Sequence, residues 1–151
     1  MRQGPTDDPE LAGVAGMVTP IVVDIMTALG DGDRHGYAIM QEVEERTNGA
    51  VSLAAGTLYK TLKKMLAAGL IVEAGERPAP DLDDGRRRYY HLTVLGLRVA
   101  QAELCRLRRQ VAAMEKKPLL RLGWDNESWC DSFSHPVERR STPPRAGEKG
   151  S

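Results

Sequence analysis

The sequence predicts a mainly α-helical fold with one small β-hairpin. Apolar residues recur with helical spacing in three segments before Gly69 and in a fourth after Val94. Two stretches between these segments read as strands that flank a turn-rich loop, and the second is rich in tyrosine. The 151 residues, 41% of them hydrophobic, suit one domain with room for extra segments.

The first two predicted helices have clear start and stop signals. Thr19–Pro20 is an N-cap followed by proline at the first helical position, and Gly30 ends that helix. After a polar turn over Asp31–His35, a second helix is predicted over about 36–47, and Asn48–Gly49 ends it with a left-handed cap. The residues of this second helix that we expect to face inward are Tyr37, Met40 and Val43.

A third helix, a hairpin and a long terminal helix follow. The third helix is predicted over about 55–68, with a buried stripe of Leu58, Leu62, Met65 and Leu66. Strands are predicted over Leu70–Arg77 and Arg86–Thr93, and helical character returns from Val94 until Pro118. This order of elements is that of a winged helix-turn-helix with an appended dimerisation helix.

The chain accordingly divides into four segments. The last of these contains Gly, Pro, Ser and mixed charge without sustained periodicity, so we expect it to be disordered or only locally structured. The predicted segments are a flexible N-terminal segment over 1–16, a winged helix-turn-helix DNA-binding domain over 17–93, a dimerisation helix over 94–117 and the tail over 118–151.

Composition predicts a cytoplasmic protein without a membrane span. The most apolar N-terminal stretch, Leu11–Leu29, is interrupted by polar residues and proline, and acidic rather than basic residues precede it. The two cysteines, Cys105 and Cys130, are too few for a disulfide scaffold. For Cys105 a redox-sensing role and a structural thiol are both open, the structural thiol being the commoner case.

Charge is distributed unevenly although the whole chain is neutral. Residues 1–50 carry three basic and nine acidic side chains, a net of −6. Residues 51–120 carry thirteen basic and seven acidic side chains, a net of +6. A neutral chain with one basic half can still present a positive face to a nucleic acid.

The third predicted helix offers a polar face that suits DNA. Thr57, Lys60, Thr61 and Lys64 recur at i, i+3, i+4 and i+7 opposite the apolar stripe, with Tyr59 and Lys63 flanking them. Lysines release counterions from phosphates, hydroxyl groups donate to phosphate oxygens, and a single helix fits the major groove. The alternative is the solvated face of an ordinary amphipathic helix.

The predicted hairpin adds three consecutive arginines, Arg86, Arg87 and Arg88, just after its loop. Arginines at this position suit a minor groove or a flanking phosphate backbone. The alternative is an edge strand that its charge protects against aggregation. Because the third helix beside these arginines is already rich in lysine, the DNA-binding interpretation is favoured over the protected edge strand.

Three segments resemble the PadR family of bacterial transcriptional regulators. They are HGYAIMQEVEERTNG at 35–49, AGTLYKTLKKMLAAGLI at 55–71 and GRRRYYHLTVLG at 85–96, in the family's order and spacing. The similarity covers roughly 17–117, and the single terminal helix resembles the short subtype. Ala55 stands where the family commonly has proline.

The resemblance implies a homodimeric repressor that binds a palindromic operator in double-stranded DNA. By similarity, Thr57 and Tyr59 contact the DNA backbone, and Lys60, Lys63 and Lys64 face the groove. It also implies that Tyr37 packs and positions its neighbours, and that Arg86, Arg87 and Arg88 form the basic start of the second strand of the wing.

The terminal helix carries an apolar seam with heptad spacing: Leu97, Ala100, Leu104, Leu107, Val111 and Met114. We predict that this seam forms the dimer interface, the alternative being packing against the chain's own first helix. The resemblance, together with the apolar and adaptable side chains of Ala100, Leu104, Val111 and Met114, suggests that a small hydrophobic or aromatic effector binds at the interface and releases the DNA. No tryptophan lies within 94–117, which disfavours planar drugs as effectors.

The sequence gives no support for catalysis. It contains no nucleophile–base arrangement, no phosphate-binding loop and no cluster of metal ligands. We therefore predict a protein that is not an enzyme and needs neither a cofactor nor a metal. The competing function is that of a winged helix that binds an acidic protein partner rather than a specific DNA sequence.

Overall fold

The computed structural model describes residues 8–78 and 86–120, and these residues form five α-helices and three β-strands. The elements, in chain order, are α1 (Pro9–Val14), α2 (Pro20–Ala28), β1 (Arg34–His35), α3 (Gly36–Arg46), α4 (Ala55–Ala67), β2 (Ile71–Pro78), β3 (Arg86–Leu92) and α5 (Val94–Glu115). The predicted mainly α fold with a small sheet and a long terminal helix is confirmed.

The helix boundaries follow the signals in the sequence. Thr19 caps α2 by accepting a hydrogen bond from the Val22 backbone N–H at 3.4 Å, and Pro20 is the first helical residue. After α3, Asn48 and Gly49 adopt φ angles of 49° and 77°. Asn and Gly tolerate this left-handed region best, so the helix ends where the sequence predicts.

The core lies between α2, α3 and α4 and extends to the sheet and to α5. Leu58, Leu62 and Met65 of α4 are buried as predicted, and Leu66 is half-buried. The remaining buried apolar residues are Val22, Ile25, Met26, Ala28, Leu29, Ile39, Val43, Leu53, Leu70, Ile71, Tyr90 and Val99. Burial of this apolar surface is the main stabilising contribution to the domain.

The predicted inward orientation of Tyr37 was wrong. Gly36, Ile39 and Val43 form the buried face of α3, whereas Tyr37 is 51% exposed and Met40 is half-buried. Each helical residue is rotated by about 100° from the one before, so the residue after Gly36 leaves the buried face. Tyr37 therefore lies on the surface at the start of α3.

The hairpin is part of a three-stranded antiparallel sheet with the order β1-β3-β2. β1, which the sequence predicted as part of a polar turn, pairs Arg34 with Tyr90 and His35 with Tyr89. Two residues are too few to show the alternation that identifies a strand. In β2 the pairing is irregular between Glu73 and Glu76, where Gly75 has a φ of +96°.

Part of the N-terminal segment that is predicted to be flexible, 1–16, forms the short helix α1. Asp8 caps α1 by accepting a hydrogen bond from the Glu10 N–H, and the turn Ala15–Met17 continues towards α2. Arg98 of α5 forms ion pairs with Asp8 and Glu10, which hold α1 against α5. Residues 1–7 lie outside the described residues.

α5 begins at a cap that ties it to the end of α4. Thr93 accepts a hydrogen bond from the Gly96 N–H at 3.0 Å and donates one to the Gly69 carbonyl oxygen at 2.5 Å. The helix ends within the predicted range 94–117, and a 3₁₀ turn follows over Pro118–Leu120. The rest of the predicted tail, 121–151, lies outside the described residues.

Within the described ranges, no single helix is long and apolar enough to cross a bilayer. The segments Pro9–Met17 and Pro20–Asp31 reach the required length and composition only as a pair, and that pair is bent by 110°.

Candidate nucleic-acid interface

The exposed face of α4 carries the polar residues that the sequence placed there. Thr57, Tyr59, Lys60, Lys63 and Lys64 are exposed. α4 contains no acidic residue, and none of its three lysines forms an ion pair with another described residue. The three charges are therefore available to an anionic partner.

Thr61 differs from the other predicted residues of this face. It is half-buried, and its hydroxyl group donates to the Thr57 carbonyl oxygen at 2.8 Å. A hydroxyl group has one proton to donate, and that proton is already used inside α4. The α4 face therefore offers phosphate oxygens the hydroxyl proton of Thr57 rather than that of Thr61.

The N-terminus of α4 adds backbone donors to the same face. Its N-cap residue, Ala54, makes no side-chain capping bond, and Ala55, Gly56 and Thr57 in the first turn are exposed. The first N–H groups of a helix have no partner inside the helix and attract anions together with the helix dipole.

Tyr59 joins α4 to the start of α3. A β-carbon on Gly36 would lie 2.8 Å from the Tyr59 hydroxyl oxygen and 3.0 Å from its Cζ, so the tyrosine ring lies directly over this glycine. The ring is nevertheless half exposed, at 52% for the residue. Tyr59 therefore reaches the surface while its position is fixed by α3.

The hairpin of β2 and β3, called the wing below, contacts the start of α3 through Arg87. A guanidinium nitrogen of Arg87 lies 3.0 Å from Nε2 of His35, and the guanidinium carbon lies 5.6 Å from the ring centroid of Tyr37. His35 also caps α3, because its Nδ1 accepts the Ala38 N–H at 3.1 Å. The start of α3 thus connects the wing to α4.

The three consecutive arginines do not act as one cluster. Successive side chains of a strand point to opposite faces, so Arg87 and Arg88 diverge. Arg88 lies 3.5 Å from a carboxylate oxygen of Glu73, which partly offsets its charge. The backbone of Arg86 pairs with Pro78 at the far end of the strand. The acidic loop over 79–85 lies outside the described residues.

Tyr90 fixes the third strand, β3, to the core. It is buried in the core opposite Arg34 and Glu73 in the sheet. Burial raises the pKa of the Tyr90 hydroxyl group, and the nearby Glu73 carboxylate raises it further. The tyrosine therefore stays neutral where a charge would be costly.

His35 and Tyr37 are the residues of this surface that sequence reasoning did not identify as functional. His35 was predicted to be a residue of the turn and Tyr37 a packing residue. Their positions in the sequence could have identified them. A histidine directly before a helix can cap that helix, as His35 does. Tyr37 follows a glycine, which has no side chain that could shield the tyrosine from solvent.

The terminal helix exposes most of its predicted seam. Leu97, Leu104, Leu107, Val111 and Met114 are 37–53% exposed, and Ala100 is half-buried against the core. Packing against the chain's own domain instead uses Gly96 and Val99, which are buried. The alternative in which the whole seam packs against the first helix is therefore wrong for these five exposed side chains.

Comparison with known proteins identifies the family. The model of the transcriptional regulator PadR-like family matches residues 25–102, from within α2 to within the first half of α5. The chain belongs to the PadR-like family. Within the described residues, no three His, Cys, Asp or Glu side chains are grouped as a metal site requires.

Individual PadR-like relatives agree with this assignment. A PadR family transcription regulator from Clostridium difficile has a TM-score of 0.55 and 30% identity, covering 65% of this chain and 97% of that one. An uncharacterised protein from Lysinibacillus sphaericus is 34% identical over 73 residues, which are 48% of this chain and 63% of that protein. The chain therefore matches slightly less than two thirds of this curated relative.

A more distant structure shares the fold alone. Bacillus subtilis PadR, solved in complex with operator DNA, has a TM-score of 0.50 and 22% identity, covering 56% of this chain and 46% of that one. The predicted resemblance to PadR regulators and the predicted winged helix-turn-helix are both confirmed. Membership of a family of transcriptional regulators points to a regulator rather than an enzyme.

Proposed function

We propose that the chain is a homodimeric repressor that binds a palindromic operator in double-stranded DNA through α4 and the wing. The observation that carries this proposal is the exposed face of α4, which holds three lysines that pair with no described residue and contains no acid. Tyr59 of α4 contacts Gly36 and Arg87 of the wing contacts His35, so α4 and the wing meet at the start of α3.

In the proposed complex α4 enters the major groove. Thr57, Tyr59 and the free N–H groups of the first turn of α4 contact phosphates, while Lys60 and Lys64 face the groove. Arg87 contacts the flanking backbone or the minor groove, held in position by His35 and Tyr37. The shared fold supports this arrangement, since Bacillus subtilis PadR binds operator DNA.

The proposed dimer forms through the exposed seam of α5. Five large apolar side chains on one helix face favour burial against an equivalent face. Two-fold symmetry would then present two copies of α4 to the two half-sites of a palindrome.

The proposed effector is a small hydrophobic or aromatic molecule that binds at this interface and releases the DNA. This step is supported by the apolar side chains of the seam, Ala100, Leu104, Val111 and Met114, which can adjust their packing around a ligand. Calorimetric titration with a panel of aromatic compounds tests this step. Absence of both heat and DNA release across the panel would contradict it.

The proposal of DNA binding is tested with a duplex from the protein's own upstream region. Binding is measured over a series of salt concentrations for the wild type and for Lys60→Ala/Lys64→Ala. We expect specific binding to be lost and the slope of log K against log salt to fall by about 2, because two fewer positive charges lie among the phosphates that flank the groove and each such charge contributes about 0.9 to the slope.

Lys116→Ala/Lys117→Ala is the matched control, because it removes two exposed lysines beyond the end of α5. It should keep the specific affinity. Weak binding that is indifferent to DNA sequence and equal in all three proteins would contradict the proposal. That result would favour a winged helix that binds an acidic protein partner.

A further inference from the structure

A groove of about 650 Å³ lies between the N-terminal segment and α5. Leu11 and Ala15 line one wall, and Val99 and Ala102 of α5 line the other. Small side chains leave room between the two walls, and the volume is within the range of about 300–1,000 Å³ found for ligand sites. The groove therefore has the size and apolar lining to accept large aromatic side chains.

Arginines give this groove a positive rim. Arg106 and Arg109 both line it. Arg106 is paired with Glu103 at 2.6 Å, whereas Arg109 forms no ion pair with another described residue. A suitable occupant therefore combines aromatic rings with negative charge.

The same chain contains a segment with this chemistry. Residues 124–133, WDNESWCDSF, hold both tryptophans and the single phenylalanine of the protein. They also hold three acidic residues and no lysine or arginine. We propose that residues 124–133 dock in the groove between α1 and α5, with aromatic rings against the apolar walls and a carboxylate paired with Arg109.

The length of the chain allows this docking. The nearer end of the groove, Gln110, lies five residues before the end of α5, which corresponds to about 8 Å along the helix. Eight residues lie between Leu120 and Trp129, and the nine steps from one to the other can span up to about 30 Å. The segment can therefore turn back along α5 and reach the whole groove.

Docking of this segment is compatible with the proposed dimer. Arg106 follows Leu104 by two residues and so projects about 200° around the helix from it. The groove and the exposed seam consequently occupy different sides of α5, and no residue of α4 lines the groove. The segment would fasten α1 to α5 without covering the proposed dimer or DNA surfaces.

Tryptophan fluorescence of the full chain tests the proposal, because both tryptophans lie in the segment. We expect the wild type to emit at shorter wavelength than the denatured chain and to be poorly quenched by acrylamide. Arg109→Glu should shift the emission to longer wavelength and increase quenching severalfold. Arg108→Glu, an exposed arginine outside the groove, should behave like the wild type.

A crosslinking experiment provides a second measurement. Cys105 lines the groove and is exposed, and Cys130 follows Trp129, so a short bis-maleimide should link the two cysteines within one chain. Arg109→Glu should lose this link while keeping the wild-type circular dichroism spectrum. Identical emission in the three proteins, with the wild type emitting like the denatured chain, would overturn the proposal. Links formed only between chains would overturn it in favour of a second copy in the groove.

Discussion

Gly36 and Gly96 each occupy a position that has no room for a β-carbon, but their neighbours differ. At Gly36 the obstacle is the end of the Tyr59 side chain, which can rotate away. At Gly96 the obstacle is the backbone carbonyl of Leu70, directly before β2, which cannot rotate alone. The first glycine therefore determines where a surface tyrosine lies, whereas the second determines how closely α5 approaches the sheet.

Gly96→Ala should lower the free energy of unfolding by about 1–3 kcal/mol or more, because the added methyl group forces α5 away from Leu70. Urea denaturation followed by circular dichroism measures the change. Gly13→Ala is the matched control: its β-carbon would meet nothing within 4 Å, and alanine is the better helix former. Equal stability of Gly96→Ala and the wild type would contradict the close packing.

Tyr90 makes the stability of the domain depend on pH in the alkaline range. Its folded pKa is raised, so above about pH 10 the unfolded chain releases a proton that the folded chain retains. The stabilising contribution is present below the unfolded pKa and is lost as the pH rises through the folded pKa. Unfolding free energies measured between pH 8 and about 11 should fall less steeply for Tyr90→Phe than for the wild type. Tyr37→Phe, which removes an exposed hydroxyl group, should keep the wild-type slope.

At the scale of the element, α5 has two faces with separate tasks. Gly96 and Val99 pack against the chain's own domain, and Thr93 ties the first turn to the end of α4. The exposed seam contributes little to this core. Folding of the domain and the proposed pairing of two chains therefore depend on different side chains of one helix.

Leu104→Glu/Leu107→Glu should convert the proposed dimer into a folded monomer, because it places charges in the seam without touching the core. Sedimentation velocity measures the association, and circular dichroism checks the fold. Ala113→Glu adds a charge to an exposed position on the opposite side of α5 and should leave the dimer intact. A seam variant that sediments like the wild type would refute the proposed interface.

How much of each element could be predicted depended on its length. The apolar periods of α2, α4 and α5 extend over two or more turns, so they were visible in the sequence. α1 has six residues and β1 has two, which is too short for a period to emerge. The α4 face was predictable because it lies on one helix. The contact between Arg87 and His35 joins residues 52 positions apart, and no spacing rule identifies such a pair.

At the scale of the whole molecule, basic and acidic side chains lie on different parts of the fold, as the uneven charge along the chain indicates. Tyr59 of the lysine-bearing α4 and Arg87 of the wing both contact the start of α3, whereas acidic side chains follow further along α3 itself. The neutral total hides this division. A long helix that pairs two such molecules would fix the separation between two basic surfaces.

This fixed separation predicts a strict operator spacing. Inserting about 5 base pairs between the half-sites of the operator turns them to opposite faces of the duplex and should abolish cooperative binding. Inserting about 10 base pairs restores the face but changes the distance, so it should restore binding only in part. Gel-shift titration of the three duplexes measures this. Equal affinity for all three would show that the two copies bind independently.

The division of α5 into two faces also has a consequence for gene duplication. Substitutions in the exposed seam leave the packing at Gly96 and Val99 unchanged, so in the proposed dimer they would alter the choice of partner without a penalty in the stability of the single chain. After duplication, two copies of such a regulator can therefore diverge until each pairs only with itself. New regulators can then separate from old ones within the same cell while both keep one fold.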